Sequence, residues 1–217
     1  IKKKNFLRKR KEIIFMKELF NTKNLVLMAV FAALGGVLML WEFPIPFIAP
    51  GFYEMDLSEV PVLIGSFIAG PVAGVIMEAV KIIIKIMIKG TSTAYVGDFA
   101  NFCIGCCFIV PASIIYKKIK TKKGALIGVC AGTVFMAVAG VVLNYFIMIP
   151  FYVKAFGTPL DGILAAGKSI NPLVGNKLSF TIVCVAPFNI IKGVIDSIIT
   201  FLLYKRISTF IKSIGHK

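Results

Sequence analysis

The sequence predicts an all-α, polytopic membrane protein, a bundle of six transmembrane helices with both termini on the cytoplasmic side. Three observations carry that expectation. Apolar residues make up 58% of the 217-residue chain, mean hydropathy is +0.90, and apolar runs recur at about 20 residues, the length a helix needs to cross ~30 Å of hydrocarbon. Lys and Arg give a formal net charge of +15 and cluster at Lys2 to Lys23, Lys117 to Lys123 and Lys205 to Lys217, where cytoplasmic segments meet anionic headgroups. Between Asn24 and Val80 there is neither Lys nor Arg, as the outer side of a membrane requires. No aromatic-interleaved basic groove accompanies the charge, so it reads as topology, and no nucleic-acid partner is expected.

The expected division is a basic segment at 1–23, a six-helix membrane domain at 24–208 and a basic tail at 209–217. Residues 1–15 read as an upstream extension before Met16-Lys17-Glu18, or as a basic amphipathic surface helix. Span one runs from about Asn24 to Trp41. The Pro-rich, acidic and aromatic stretch after it cannot stay helical and forms a structured outer loop. Asp56 or Ser58 then caps the next helix, which Gly70-Pro71 closes and which is short for a full span. Span three, Val72 to Lys89, places Lys81, Lys85 and Lys89 on one face, with Glu78 a possible partner one turn before Lys81. The favoured reading of this stripe is snorkelling to headgroups or lining a polar seam. Span four covers Asp98 to Tyr116, span five Gly124 to about Phe151, an outer loop Lys154 to Gly175, and span six about Asn176 to Tyr204.

Small residues mark close helix approaches: Gly124, Gly128 and Gly132 on span five, Gly70 and Gly74, and on span one Ala29-x-x-x-Ala33 and Ala32-x-x-x-Gly36. These serve packing within the bundle or a docking face for another membrane subunit. Two motifs are set aside. Gly162 to Ser169 spells a P-loop, yet lies in an outer loop without the strand and helix that its mechanics need. Cys103, Cys106 and Cys107 sit in an apolar helix without a matching Cys pair, so no metal site is expected. A membrane enzyme or stand-alone facilitator is the rival class. With His216 in the tail as the lone histidine, there is no Ser-His or His-metal arrangement to support catalysis.

The most informative segment is A-P-F-N-I-I-K-G, Ala186 to Gly193. Asn189 and Lys192 lie one turn apart in an apolar run, where burying an amide and an ammonium is expensive unless each meets a partner or a polar ligand. Lys192 and Asp196, four apart, either neutralise one another or leave the amine for a ligand. Asn101 on span four, with Gly105 continuing its face, and Asn144 late in span five complete a set of inward amides. Such a trio suits a neutral molecule with several hydrogen-bonding groups. Phe188, Tyr145 and Phe102, with the loop aromatics Phe47, Phe52 and Tyr53, are positioned to enclose a flat ring or merely to pack.

Six strings in order carry a resemblance: E-M-D-L-S-E-V-P-V-L-I-G (Glu54 to Gly65), G-P-V-A-G (Gly70 to Gly74), G-D-F-A-N-F (Gly97 to Phe102), L-N-Y-F (Leu143 to Phe146), A-A-G-K-S-I-N-P-L (Ala165 to Leu173) and A-P-F-N-I-I-K-G. The chain resembles the riboflavin-specific substrate-binding S components of energy-coupling factor (ECF) vitamin transporters. The resemblance implies a six-helix bundle that binds riboflavin from outside, at a site built from the first outer loop and the outer parts of spans four to six. Amides matching Asn101, Asn144 and Asn189 and the amine matching Lys192 would contact the vitamin, and the expected site adds Asp56, Gly105, Tyr145 and Phe188. It further implies that Ala29 and Ala33 dock on a membrane-embedded coupling subunit and that two cytoplasmic ATPases supply energy. No catalytic residue and no cofactor are expected, riboflavin being cargo. The lysine stripe and the basic N-terminus have no assigned part in that mechanism.

Overall fold

The computed structural model describes residues 19–215, with side chains as far as Leu203. The expectations for residues 1–15 and for His216 lie outside the described residues. Helix α1 spans Thr22–Leu38 and opens on Asn21, whose Oδ1 accepts the Asn24 N–H at 2.8 Å. The Pro-rich segment that follows is a lid carrying two short strands, β1 (Phe43–Pro44) and β2 (Glu54–Met55), antiparallel with Phe43 opposite Met55. Helix α2 (Glu59–Ala69) begins at Ser58. Of the two candidate caps it is Asp56 that acts, its Oδ1 accepting the Ser58 N–H at 2.8 Å, while the Ser58 side chain makes no capping bond. Gly70 closes α2 at φ 96°, a left-handed conformation that glycine adopts without the Cβ penalty. Pro71 then starts α3 (Pro71–Lys89) at the position where its missing N–H is harmless.

Helix α4 spans Val96–Lys118 and α5 spans Lys122–Ala155. A π turn at Asn144–Met148 interrupts α5, and a second at Thr181–Val185 interrupts α7, which starts at Lys177 and continues as α-helix over Ala186–Gly215. The tail expected after residue 208 is thus a continuation of that helix as far as Gly215. Among the described residues, three helices qualify by length and apolar composition to cross a membrane: Val96–Lys118, Lys122–Ala155 and Lys177–Leu203. The eleven residues of α2 rise only about 16 Å at 1.5 Å per residue. Between α5 and α7 the outer loop contains α6 (Leu160–Lys168), a helix not anticipated. Its buried Ile163 packs with Ile149, Val174 and Phe180, which gives the segment an apolar face to fold against. The P-loop lookalike therefore forms the body of a helix preceded by no strand.

One core cluster lies among α1 to α5, around Met28, Leu63, Met77, Phe108, Ala112 and Val129. Gly128 and Gly132 press α5 onto α4: a Cβ at either would run into the backbone carbonyls of Ala112 and Phe108. The two patterns on α1 separate by face. Ala32 and Gly36 are buried, with Gly36 against Ile84, whereas Ala29 and Ala33 are exposed beside Val26, Val30 and Leu34.

Candidate functional site

The cavity lies where the lid meets α4, α5 and α7, and encloses about 210 Å³. The two π turns place its amides. Asn144 opens the first turn, is buried, and donates from Nδ2 to the Gly140 carbonyl at 2.8 Å. Asn189, one turn beyond the second, donates from Nδ2 to the Val185 carbonyl at 2.9 Å. Each side chain bonds back to the carbonyl four residues earlier, the region where a π turn disturbs the regular ladder. That bond fixes the amide's orientation and leaves its Oδ1 turned away from its own helix. Asn189 in turn nests against Gly140, where a Cβ would collide with its amide. Asn101 reaches the cavity from α4, half-buried, with no hydrogen-bond partner among the described residues.

The lid supplies the cover. Tyr53 donates its phenol proton to Asn144 Oδ1 at 2.7 Å and lies 5.6 Å, ring to ring, from Phe188. Burial pushes the Tyr53 phenol above its usual range, so it remains a donor. Ala49 and Met55 pack with Phe188, seating the lid on α7. Phe52 lines the opening, while Phe47 points away from the cavity with 78% of its surface exposed.

Lys192 lies on the cavity wall and donates to Asp56 Oδ2 at 2.7 Å. Their side chains are 5% and 1% exposed, so this ion pair is dry and ties lid to α7 across 136 residues. Burial alone would raise the Asp56 carboxyl; Lys192 and then Lys81, with hydrogen bonds from Lys192 and Ser58, more than reverse it and hold the group below the usual carboxylate range. The local alternative, neutralisation by Asp196, does not occur: both Asp196 oxygens are buried without a hydrogen-bond donor.

The structure brings together Asn101, Asn144, Phe188, Asn189 and Lys192 on the cavity wall and leaves three expected residues off it. Asp56 sits behind Lys192 as its counter-ion. Gly105 serves the packing of α4 on α2 and α3, because a Cβ there would strike the carboxylates of Glu78 and Glu59. Tyr145, one residue past Asn144, faces the other way and lies under the Lys177 ammonium, 4.0 Å from its ring centre. Phe102 is half-buried beside the lining rather than in it.

The lysine stripe also turns inward. Lys81 is fully buried and donates to Glu59 at 2.8 Å, with Glu78 Oε1 2.5 Å away; Lys85 donates to Asp98 at 2.6 Å. Snorkelling is excluded for these two, and Lys89 at the exposed end pairs with Glu42 of the lid. Sequence reasoning missed that Glu59, Lys85 and Asp98 reach the cavity wall. The available signal was the presence of acids on the neighbouring elements, Glu42, Glu59 and Asp98, one for each lysine of the stripe.

Residues 23–204 match the family model described as ECF transporter, substrate-specific component. The chain is 36% identical over 193 residues to the riboflavin transporter RibU of Staphylococcus aureus, covering 88% of this chain and 94% of that protein. It is 31% identical over 192 residues to the riboflavin transporter FmnP of Bacillus subtilis, with coverage of 88% and 94%. A solved structure described as the S component of a bacterial ECF transporter superposes with a TM-score of 0.68 at 33% identity, covering 88% of this chain and 98% of that one.

Proposed function

The chain belongs to the substrate-specific components of ECF transporters, and on that premise we propose that it captures riboflavin from outside the cell. It hands the vitamin to a membrane-embedded coupling subunit driven by two cytoplasmic ATPases. The observation that carries this reading is the convergence of Asn101, Asn144 and Asn189 on one covered cavity, in a chain that aligns along most of its length with riboflavin transporters. An amide offers two donors and an acceptor, which suits the pyrimidine edge of an isoalloxazine, an N–H between two carbonyls. Both lysines on the wall, Lys85 and Lys192, already have carboxylate partners, which favours a neutral ligand. Phe188, Tyr53 and Phe52 supply the apolar faces for a flat ring.

A volume of about 210 Å³ falls below the ~300 Å³ at which ligand pockets begin, so a tricyclic ligand enters with displacement of the lid. Two-residue strands hold that lid with few backbone bonds. The protein sits in the prokaryotic plasma membrane, crossing it six times through α1 to α5 and α7, with both termini cytoplasmic and Ala29 and Ala33 toward the coupling subunit. The test is direct. Protein purified from cells grown with riboflavin carries near-equimolar flavin, seen by its absorbance and fluorescence. Colourless protein that also fails to quench added riboflavin refutes the reading.

A further inference from the structure

Beneath the cavity the buried charges do not balance. Among the described residues the buried acids are Asp56, Glu59, Glu78, Asp98 and Asp196, and the buried lysines are Lys81, Lys85 and Lys192. Lys192 takes Asp56 and Lys85 takes Asp98, each as a single pair. Lys81 alone must serve Glu59 and Glu78, both within 2.8 Å of its ammonium. Its ammonium meets one oxygen of each, while the second oxygens, Glu59 Oε2 and Glu78 Oε2, have no hydrogen-bond donor. Gly105 opens the space in which the two carboxyl groups meet, its missing Cβ falling against Oε1 of each. Two carboxylates at such separation with one ammonium, taken out of water, do not both remain ionised.

We propose that the Glu59–Lys81–Glu78 triad is a proton-binding site, partly protonated while the cavity is empty and holding one proton between the two carboxyl groups once it is filled. Glu59 connects the two, since it belongs to the triad and also to the cavity wall. Water in the empty cavity solvates the Glu59 carboxylate. A neutral ligand displaces that water and disfavours the charged form, so a proton from solvent joins the triad as the ligand enters. The groups facing the triad from the packed elements are Lys192 and Asp196 of α7, Asp56 of the lid, and Cys106 of α4. The lysine is occupied by Asp56, and Asp196, itself buried without a donor, offers the triad no cation.

The ligand half of this inference rests on the riboflavin reading; the proton half does not. Infrared spectra of the full chain in lipid nanodiscs are expected to show a protonated-carboxyl carbonyl band at neutral pH. Glu78→Gln, which keeps the shape of a protonated Glu78, removes the triad's share of it, and an Asp196→Asn background takes away the contribution of the other donorless carboxyl. Titrating Asp196→Asn, which lacks the other donorless carboxyl, from about pH 5 to about pH 9, the range in which buried carboxyls titrate, gives the same assignment should Glu78→Gln fail to fold. Calorimetry with riboflavin, in buffers of different ionisation enthalpy, is then expected to show uptake of up to one proton in wild type and none in Glu78→Gln. A spectrum without the band, or a band unchanged in Glu78→Gln, overturns the site. Riboflavin binding without proton uptake overturns the coupling, and absence of riboflavin binding with the band intact overturns the transport reading alone.

Discussion

Removing the Lys192 ammonium while keeping its stem, Lys192→Met, isolates the energetics of the lid anchor. Lys192 and Asp56 meet at 2.7 Å with 5% and 1% of their side chains exposed, so the variant leaves the Asp56 carboxylate in a dry site without its counter-ion. Breaking a buried pair from one side costs about 3–5 kcal/mol, or between two and four powers of ten in the folding equilibrium at ~1.36 kcal/mol per decade. Asp56→Asn strands the ammonium instead and is expected to cost a similar amount, although its amide still accepts the Ser58 N–H. The double variant removes both charges and should be more stable than either single one, because a pair replaced as a unit carries no stranded charge. Denaturation in mixed micelles at neutral pH measures all four proteins. Since the Asp56 carboxyl is held below its ordinary range, the pair's contribution is complete above about pH 4 and fades only under stronger acid. Additive losses in the double variant, or single variants as stable as wild type, would show that the pair is wet and the lid held by something else.

Asn189→Leu removes an amide from the cavity wall and is expected to weaken riboflavin binding by about 1–3 kcal/mol, the penalty of leaving a buried polar partner unmatched, with an unchanged melting curve; fluorescence quenching measures it. Gly105→Ala drives a methyl group into the Glu59 and Glu78 carboxylates and should destabilise the bundle by about 1–3 kcal/mol, read as a lower melting temperature in detergent. Ala29→Leu with Ala33→Leu alters only an exposed face of α1; riboflavin affinity stays at the wild-type value while assembly with the coupling subunit, followed by co-purification, is lost.

That Asn189 and Lys192 would face an interior cavity was legible because hydrocarbon leaves polar groups few bland explanations. Their partners were not. Lys192 chooses Asp56, remote in sequence, over Asp196 one turn away, and helical spacing encodes only the local option. The lysine stripe was visible, but its direction depends on Glu59, Asp98 and Glu42, which come from three other elements. Tyr145 was expected among the aromatics enclosing a flat ring, yet at about 100° per residue of helix an Asn144 turned to the cavity carries Tyr145 off it, toward Lys177. Helix α6 was hidden because the Gly, Lys and Ser of its sequence read as loop, while its stability comes from Ile163 and Gly167 meeting Phe180 and Val174.

The inward ion pairs of α3 bear on how the chain enters the bilayer during synthesis. Glu78, Lys81, Lys85 and Lys89 lie within nineteen residues, and each charge near a helix centre opposes insertion by about 2.5–3.5 kcal/mol. Presented alone to the insertion machinery, α3 would be rejected. Its partners arrive on both sides of it in time: Glu59 is made before Lys81, and Asp98 after Lys85. Helices α2, α3 and α4 are therefore expected to partition as one unit once α4 has emerged, a test that successive truncations of the nascent chain can apply.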